Sequence, residues 1–221
     1  MNDFGSQFPE LAEEWSSRNS IRADEVLYTR NFTVYWDCPV CHGTYPAKMR
    51  DRKISDDACP YCNNRKVLPG LNDFATVHPE LIAEWSPNND MKPSEVLAMR
   101  QHRVLWICPE CRGEYAWPVN ERHFGDNACP YCNNRKVLPG YNSLLVQYPE
   151  LMPEWDTINN LFIGVDADQI SPRNIQPIWW ICNSCGYHYR MATSRRIMYE
   201  TRHQIACSKC KGRRQKRRFN G

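Results

Sequence analysis

The sequence predicts a small α+β fold built as three tandem repeats, and three observations support this prediction. A block of twelve residues, CPYCNNRKVLPG, stands at Cys59–Gly70 and returns letter for letter at Cys129–Gly140. Residues 1–70 and 71–140 align without a gap, with 36 identical positions. All 12 cysteines fall into three quartets, each made of two C-x-x-C pairs. We therefore divide the chain into repeats at 1–70, 71–140 and 141–210, followed by a basic tail at 211–221.

The cysteine spacing within each repeat indicates a metal site. The two pairs are separated by 17 residues in repeats 1 and 2 and by 21 in repeat 3, close to the roughly 15 to 20 residues typical of a four-thiolate zinc site. A tight turn aims both sulfur atoms of one pair at one ion, and a hairpin brings the second pair opposite the first. We expect three structural Zn²⁺ ions, bound by Cys38, Cys41, Cys59 and Cys62, by Cys108, Cys111, Cys129 and Cys132, and by Cys182, Cys185, Cys207 and Cys210.

Disulfide bonds are the alternative use of so many cysteines. A secreted chain would need an apolar signal peptide, whereas the first 20 residues include Asp3, Glu10, Glu13 and Glu14. The sequence therefore favours zinc and a cytoplasmic location, at the nucleoid if the protein binds DNA. No apolar run approaches the roughly 18 residues of a membrane span, so we expect no membrane partner.

Each repeat is expected to open with a short helix. Phe8-Pro9-Glu10-Leu11 and its counterparts at 78–81 and 148–151 place proline and glutamate in a first helical turn, where both are favourable. Leu11 and Trp15 stand four residues apart and should share a core-facing side. Asn72 or Asp73 is expected to cap the opening helix of repeat 2, so the linker between repeats is short.

A β-hairpin is expected to carry the first cysteine pair. Val34, Trp36 and Cys38 alternate with polar residues, as in a strand that runs into the first C-x-x-C pair, and Tyr45, Ala47 and Met49 alternate again on the return. The second pair should then begin a short helix that Leu68-Pro69-Gly70 ends. The same order recurs in repeats 2 and 3, and repeat 3 is the divergent copy, with four extra residues before Cys182 and four before Cys207.

With these residues in view, the chain resembles the treble-clef zinc-ribbon repeats of bacterial and phage proteins. The pattern H-P-E-L-x-x-E-W, W-x-C-P-x-C, N-x-R, C-P-x-C is matched by residues 78–85, 106–111, 120–122 and 129–132. His42 and Arg112 stand where this family usually has glycine, and repeat 3 has no proline in its cysteine pairs. Because members of the family are sometimes joined to very-short-patch-repair or restriction-type endonuclease domains, the resemblance implies nucleic-acid binding and no particular reaction.

Basic residues at recurring positions are the predicted nucleic-acid contacts. The formal net charge is only +3, so attraction to phosphate must come from local patches and from the tail. An arginine lies eleven positions after the first cysteine pair of every repeat, and a basic pair follows the last cysteine by three and four positions. The alternative for these recurring residues is that their side chains are solvated or form ion pairs with Glu or Asp between repeats. The predicted contacts are Arg52, Arg65, Lys66, Arg122, Arg135, Lys136, Arg196, Lys211, Arg213, Arg214, Lys216, Arg217 and Arg218.

The sequence therefore favours a non-enzymatic, zinc-dependent protein that binds nucleic acid, with DNA the expected partner and RNA the alternative. None of the six histidines recurs in all three repeats, so we expect no intrinsic nuclease activity and no small-molecule substrate. The alternative hypothesis is a protein-interaction scaffold. It includes an accessory subunit for a separate nuclease or for a defence or regulatory complex.

Overall fold

A computed structural model of the chain describes residues 2–54, 59–122 and 128–211. The described residues divide into two compact units. One holds the chain up to Trp106 together with a segment that starts at Ala116, and the other holds Ile107–Tyr115 and the later residues. Because this division passes through the second repeat, the repeat boundaries read from the sequence stay a prediction. None of the helices in these described ranges is long and apolar enough to cross a membrane.

Each repeat contains one antiparallel two-stranded hairpin and several short helices. The α-helices are α1 (Phe4–Gln7), α2 (Pro9–Glu13), α3 (Met49–Ile54), α4 (Phe74–Val77), α5 (Val119–Arg122), α6 (Leu144–Gln147), α7 (Thr157–Phe162) and α8 (Thr193–Thr201). The strands are β1 (Thr33–Asp37), β2 (Thr44–Lys48), β3 (Arg103–Ile107), β4 (Glu114–Pro118), β5 (Pro177–Ile181) and β6 (His188–Ala192), paired in sequence order. This confirms small α+β modules.

The opening helix of each repeat is preceded by a further helical turn that the sequence did not predict. Asp3, Asp73 and Ser143 cap α1, α4 and α6 by accepting backbone N–H groups three residues later. The predicted helix follows one residue after each of these, as α2 in repeat 1 and as 3-10 helix at Pro79–Glu84 and Pro149–Glu154. Asp73 therefore caps α4 and not the predicted opening helix of repeat 2, whose N-cap residue His78 makes no side-chain capping bond.

Asn72 instead binds the loop that follows the cysteines of repeat 1. Its side-chain oxygen accepts the Leu68 N–H at 2.7 Å, and its amide donates to the Tyr61 carbonyl at 2.8 Å and the Lys66 carbonyl at 3.0 Å. Asn142 makes the same three bonds with residues 138, 131 and 136. Both asparagines are buried, so the first residues of one repeat hold the end of the repeat before it.

The hairpins have the predicted alternation. In β1, Val34 and Trp36 are buried, and Trp36 lies opposite Tyr45 of β2. Leu11 and Trp15 pack against this core, as their spacing predicted. Trp36, Trp106 and Trp180 are fully buried at equivalent places, and each donates its indole N–H to a carbonyl of the return strand.

An asparagine side chain extends each hairpin like a neighbouring strand. Asn19 donates to the Tyr35 carbonyl at 2.7 Å and accepts the Tyr35 N–H at 2.8 Å. Asn160 makes the same two bonds with Trp179 at 2.8 and 2.9 Å. Asn160 lies one residue later than its counterparts, on α7, so repeat 3 keeps this pair of bonds although its inserted residues form a helix.

The helices α3, α5 and α8 follow the hairpins, and the sequence did not predict them. Each carries the recurring arginine, and the structure turns that arginine inward. Arg52 forms a two-point ion pair with Glu14, with Nε 3.0 Å and Nη2 2.6 Å from Oε2. Arg122 pairs with Glu84, and Arg196 pairs with Glu154 at 2.8 Å.

The prediction that these three arginines bind phosphate is therefore corrected. The arginine side chains are 6 to 11 % exposed and the glutamate side chains 14 to 19 %. The guanidinium groups of Arg122 and Arg196 also lie 5.9 Å from the buried Trp106 and Trp180 rings. A buried guanidinium needs a partner to offset its loss of hydration, and the glutamate of the Glu-Trp motif provides it within the same repeat.

The predicted helix at the second cysteine pair is a single turn in repeats 1 and 2. Asn64 has a left-handed backbone with φ 52°, the Asn64 N–H bonds the Tyr61 carbonyl, and the Arg65 N–H bonds the Pro60 carbonyl at 2.8 Å. This is the Schellman arrangement that ends a helix, so the helix prediction is wrong there. In repeat 3, Ser208–Lys211 is helical as expected.

A close contact explains the glycine after each of the first two knuckles, the turns that hold the first cysteine pairs. A Cβ atom on Gly43 would lie 2.7 Å from the Tyr61 ring and 2.9 Å from Leu68, and Gly113 stands in the same relation to Tyr131. The residue before it, His42 or Arg112, has φ 58° or 59°. Both have a backbone conformation that glycine adopts more easily, and repeat 3 has Gly186 there.

We expect Glu14→Gln to lower the free energy of unfolding by about 3 to 5 kcal/mol, because it leaves the buried Arg52 charge without its counter-ion. The urea midpoint measured by tryptophan fluorescence reports the change. Arg22→Ala is the control, since the Arg22–Asp24 pair is solvent-exposed and should leave the midpoint unchanged. Equal midpoints for wild type and Glu14→Gln would contradict the structural role of the pair.

We expect Gly43→Ala to destabilise the zinc loop by about 1 to 3 kcal/mol, because the added methyl group overlaps the Tyr61 ring. In a Tyr61→Ala background, Gly43→Ala should lower the free energy of unfolding by less than it does in the wild type. A double-mutant cycle on urea midpoints measures this difference. Gly5→Ala is the control, since its new Cβ would make only ordinary contacts of 3.4 Å or more. An additive cycle would show that Tyr61 does not restrict this position.

Candidate metal centres

The twelve cysteines come together in three groups of four, as the spacing predicted. In each group all four Sγ atoms lie within 4.8 Å of one another. The first pair comes from the end of a hairpin strand and the second from the turn or helix near the end of the repeat. The groups are Cys38, Cys41, Cys59 and Cys62; Cys108, Cys111, Cys129 and Cys132; and Cys182, Cys185, Cys207 and Cys210.

The sulfur geometry fits a tetrahedral zinc ion. Four sulfurs at the usual Zn–S distance of about 2.3 Å form a tetrahedron with edges of about 3.8 Å. Cys38 and Cys62 are 3.6 Å apart at sulfur, as are Cys41 and Cys59, and the two corresponding distances in repeat 3 are 3.8 Å. A disulfide would require about 2.05 Å, and all twelve cysteines are free thiols. Each group can therefore bind one zinc ion.

The backbone around each knuckle is arranged to stabilise thiolates. Burial raises the pKa of the Cys38 thiol, but N–H groups of Cys41 and Val40 that point at the sulfur outweigh this and lower the pKa below its usual value. The Tyr187 N–H likewise lowers the pKa of Cys185 to about 7. The Cys38 N–H bonds the Gly43 carbonyl at 3.1 Å, which closes the turn. These amides favour the deprotonated form of one thiol in each first cysteine pair. Burial and the neighbouring thiols raise the pKa of others, such as Cys41 and Cys62, and a bound metal ion would offset that.

Four thiolates occupy all positions of a tetrahedral ion and leave none for water or substrate. An ion held this way is structural. Since Cys38, Cys59, Cys108, Cys129, Cys182 and Cys207 are buried against the hairpin cores, the ion would fasten the second half of each repeat to the first.

The basic pairs after the zinc turns remain on the surface. Arg65, Lys66, Arg135 and Lys136 are exposed, and none of them forms a salt bridge with another described residue. The backbone amides of these four residues are not available as further donors. Those amides bond the Pro60 and Pro130 carbonyls, so only the side chains could reach a phosphate.

The basic tail is described only at its start. Lys211 is exposed, and its ammonium group lies 5.6 Å from the Tyr199 ring. The remaining predicted tail contacts lie outside the described residues; they are Arg213, Arg214, Lys216, Arg217 and Arg218. Arg52, Arg122 and Arg196 are not brought together with the basic pairs, because they are buried in ion pairs.

Repeat 3 contains a polar pair that the sequence did not predict. His188 Nδ1 lies 2.6 Å from Asp156 Oδ2, and the Asp156 side chain also caps α7 by accepting the Asn159 N–H. Burial raises the pKa of Asp156, but hydrogen bonds from Asn159 and His188 outweigh it and lower the pKa. Asp156 occupies the place of Ser16 and Ser86. The aspartate at a position where the other repeats have serine is the only sign of this pair in the sequence. Its contacts show that Asp156 serves as a helix cap.

We expect the purified protein to contain three zinc ions per chain, because each four-sulfur group accepts one. Chelation of zinc under reducing conditions should unfold the repeats, since a site of this kind does not form in the unfolded chain. Mass spectrometry under native conditions measures the first, and near-ultraviolet circular dichroism measures the second. Cys59→Ser should remove one ion, whereas Ser17→Ala should remove none. A chelated, reduced protein with unchanged dichroism would contradict the structural role of zinc.

Comparison with known families agrees with this geometry. A family described as a probable treble clef zinc finger domain matches the sequence at residues 11–65, 81–135 and 151–213. Each match contains both cysteine pairs and the Glu–Arg ion pair of its repeat, and together the matches span more than half of the chain. A comparison with curated proteins finds no match. The chain belongs to the family of probable treble clef zinc finger domains and carries three copies of that domain.

Proposed function

We propose that this is a non-enzymatic, zinc-dependent nucleic-acid-binding protein, with DNA as its main partner and RNA as the alternative. The observation that supports it most is the exposed Arg-Lys pair within the block that repeats letter for letter. The neighbouring side chains of the repeated block make contacts within the fold. The side chains of the Arg-Lys pair make none among the described contacts.

The repeated block shows this contrast residue by residue. Tyr61 packs against Gly43 and donates to the Thr44 carbonyl at 3.1 Å. Asn63 donates to the Cys59 carbonyl at 3.0 Å, and Asn64 ends the turn with its left-handed backbone. Among the described contacts Arg65 and Lys66 use only backbone groups, so their charged ends are available to a partner.

A positive pair held beside a zinc-fastened turn suits phosphate. The turn fixes the backbone from which the two side chains extend, and phosphate contacts by Arg and Lys need no particular base sequence. The seven basic residues from Lys209 to Arg218, with no acid among them, would add a non-specific electrostatic contribution. This supports binding to the nucleic-acid backbone, and a location in the reducing cytoplasm, where thiols stay available to zinc, is part of the proposal.

The absence of an enzymatic role is likewise a proposal. Closed four-thiolate sites supply no Lewis acid to a substrate. Among the described histidines, His188 is hydrogen-bonded to Asp156. The Nδ1 atom of His78 lies 3.3 Å from Oε1 of Glu80, beside the opening helix. These contacts have ordinary structural explanations, which favours a binding protein over a nuclease.

A protein-interaction role is the second candidate, and one feature of repeat 3 favours it. Helix α7 exposes Ile158, Leu161 and Phe162, which are 81, 75 and 91 % accessible. Apolar side chains exposed to this degree on one short helix are unusual for a free surface. A partner such as a separate nuclease could cover them, and it would leave the basic pairs available.

We expect log affinity for a 20-base-pair duplex to fall linearly with log salt concentration, with a slope that reports the number of phosphate contacts. Arg65→Ala with Arg135→Ala should make that slope shallower by about 2, since each contact contributes about 0.9. Deleting residues 211–221 should flatten it further. Fluorescence anisotropy between 50 and 300 mM KCl measures the slope.

The matched control is Arg30→Ala with Arg100→Ala. These arginines recur at the same 70-residue spacing, are exposed, and carry the same total charge, so the double substitution should leave the slope close to that of the wild type. The proposal fails if duplex DNA, single strands and RNA all remain unbound at 50 mM KCl, or if the two double variants lose equal slope.

A further inference from the structure

Repeat 3 presents pairs of aromatic rings and cations around its zinc site. Lys209 Nζ lies 5.5 Å from the centre of the Tyr187 ring, and Lys211 Nζ lies 5.6 Å from the centre of the Tyr199 ring. Tyr187 is 42 % exposed. The nearby Arg195 and the charge of Lys211 lower the pKa of Tyr199. We call these five residues the aromatic-cation surface.

Two of these residues exchange the packing found in the other repeats. In repeats 1 and 2 a glycine lies two residues after the first cysteine pair, and a tyrosine between the two cysteines of the second pair packs against it. In repeat 3 the glycine position holds Tyr187 and the tyrosine position holds Lys209. In repeat 3 the tyrosine ring therefore belongs to the segment after the first cysteine pair, and a lysine stands between the cysteines of the second pair. Packing explains why the two positions change together, and the result is an exposed ring beside a cation.

The charge on the helix of repeat 3 is also reversed. Arg195 occupies the place of Asp51 in α3 and Glu121 in α5. None of Arg195, Lys209 and Lys211 forms a salt bridge with a carboxylate in the described part of the chain. The nearby acid, Glu200, is bound to Arg196 at 2.9 Å. The aromatic-cation surface therefore has uncompensated positive charge beside its two rings.

The surface is carried by rigid parts of the repeat. Tyr187 follows the knuckle of Cys182 and Cys185, and its carbonyl accepts the Cys182 N–H at 3.0 Å. Lys209 and Lys211 flank Cys210, and the Lys211 N–H bonds the Cys207 carbonyl at 3.0 Å. Both cations thus project from one helical turn that zinc would fasten, where repeat 3 joins the basic tail.

We propose that the aromatic-cation surface binds single-stranded nucleic acid, with unpaired bases stacked on Tyr187 and Tyr199 and phosphates at Lys209, Lys211 and Arg195. This inference rests on the proposed function and narrows its substrate class. Bases in a duplex are stacked on one another and hide their faces, whereas bases in a single strand can leave the stack and lie on an aromatic ring. Duplex contacts through the basic pairs of repeats 1 and 2 need no ring.

The test uses the full chain with zinc bound and labelled 15-mers of single-stranded DNA, single-stranded RNA and duplex DNA. Anisotropy should show that Tyr187→Ala and Tyr199→Ala each weaken single-strand affinity by about 5- to 100-fold, with duplex affinity unchanged. Tyr187→Phe should retain binding, because its ring remains. Lys209→Gln with Lys211→Gln should reduce the salt slope for single strands by about 1.4, and the two single strands show whether the sugar matters.

Tyr35→Ala is the matched control. Tyr35 in repeat 1 is 41 % exposed, and Arg18 lies 5.3 Å from its ring centre, so residue type, exposure and cation contact are alike. Its removal should leave single-strand affinity unchanged. Ultraviolet crosslinking of a 5-iodouridine strand to wild-type protein, read by mass spectrometry, should identify the peptide that contains Tyr187, which does not depend on any variant folding.

The outcomes separate this inference from the proposed function. Equal loss for Tyr35→Ala and Tyr187→Ala, or a crosslink confined to other repeats, overturns the aromatic-cation surface while duplex binding through Arg65 and Arg135 still stands. Tight single-strand binding that survives both tyrosine substitutions also overturns it. Failure of every nucleic acid to bind refutes the proposed function, and this inference fails with it.

Discussion

The bond between four thiolates and one zinc ion is the constraint on which every repeat depends. A repeat of about 70 residues buries too little apolar surface to be stable alone, and a metal ion is a common supplement at that size. In repeat 1 the core is built around Phe4, Trp15 and Trp36, whose ring centres lie 5.4 to 5.8 Å apart. The segment with the second cysteine pair contributes only Cys59 and Tyr61 to this core, and the ion would join it to the hairpin.

The second interaction repeated in all three copies is the buried Glu–Arg pair. It connects the end of the opening helix to the helix after the hairpin, and in repeats 2 and 3 the guanidinium group lies over the ring of the central tryptophan. Replacing an ion pair of this kind with apolar residues can be neutral, but removing one partner is costly. The recurrence of these arginines, which had suggested a shared ligand contact, therefore has a sufficient explanation inside the fold. Recurring residues in a repeat protein report common architecture first, and function must be sought where the repeats differ or where exposed residues recur without structural contacts.

Repeat 3 differs from the others in ways that concern its surface more than its core. Trp155, Trp180 and Arg196 keep their places, and Asn160 restores the hydrogen bonds that Asn19 and Asn89 make elsewhere. The differences are an exposed apolar helix at α7, a longer helix at α8, a His–Asp contact and the aromatic-cation surface. A fold that holds its core constant while its surface diverges can divide tasks among its repeats. Under the proposed function, repeats 1 and 2 would contact the nucleic-acid backbone, and repeat 3 would be the more selective copy.

The sequence by itself determined the repeats, the twelve cysteine ligands, the alternating hairpin strands and the proline-led opening helices. These features depend on local spacing, and local spacing can be read along the chain. Only the tertiary structure decided the direction of Arg52, Arg122 and Arg196, because their glutamate partners lie about 40 residues earlier and no local pattern links the two. It also decided that the turn around Cys62 stops at Asn64, since a left-handed asparagine and the bond from the Arg65 N–H to the Pro60 carbonyl end the predicted helix there. The aromatic-cation surface belongs to the same class: its rings and charges come from three separate segments, and only folding brings them together.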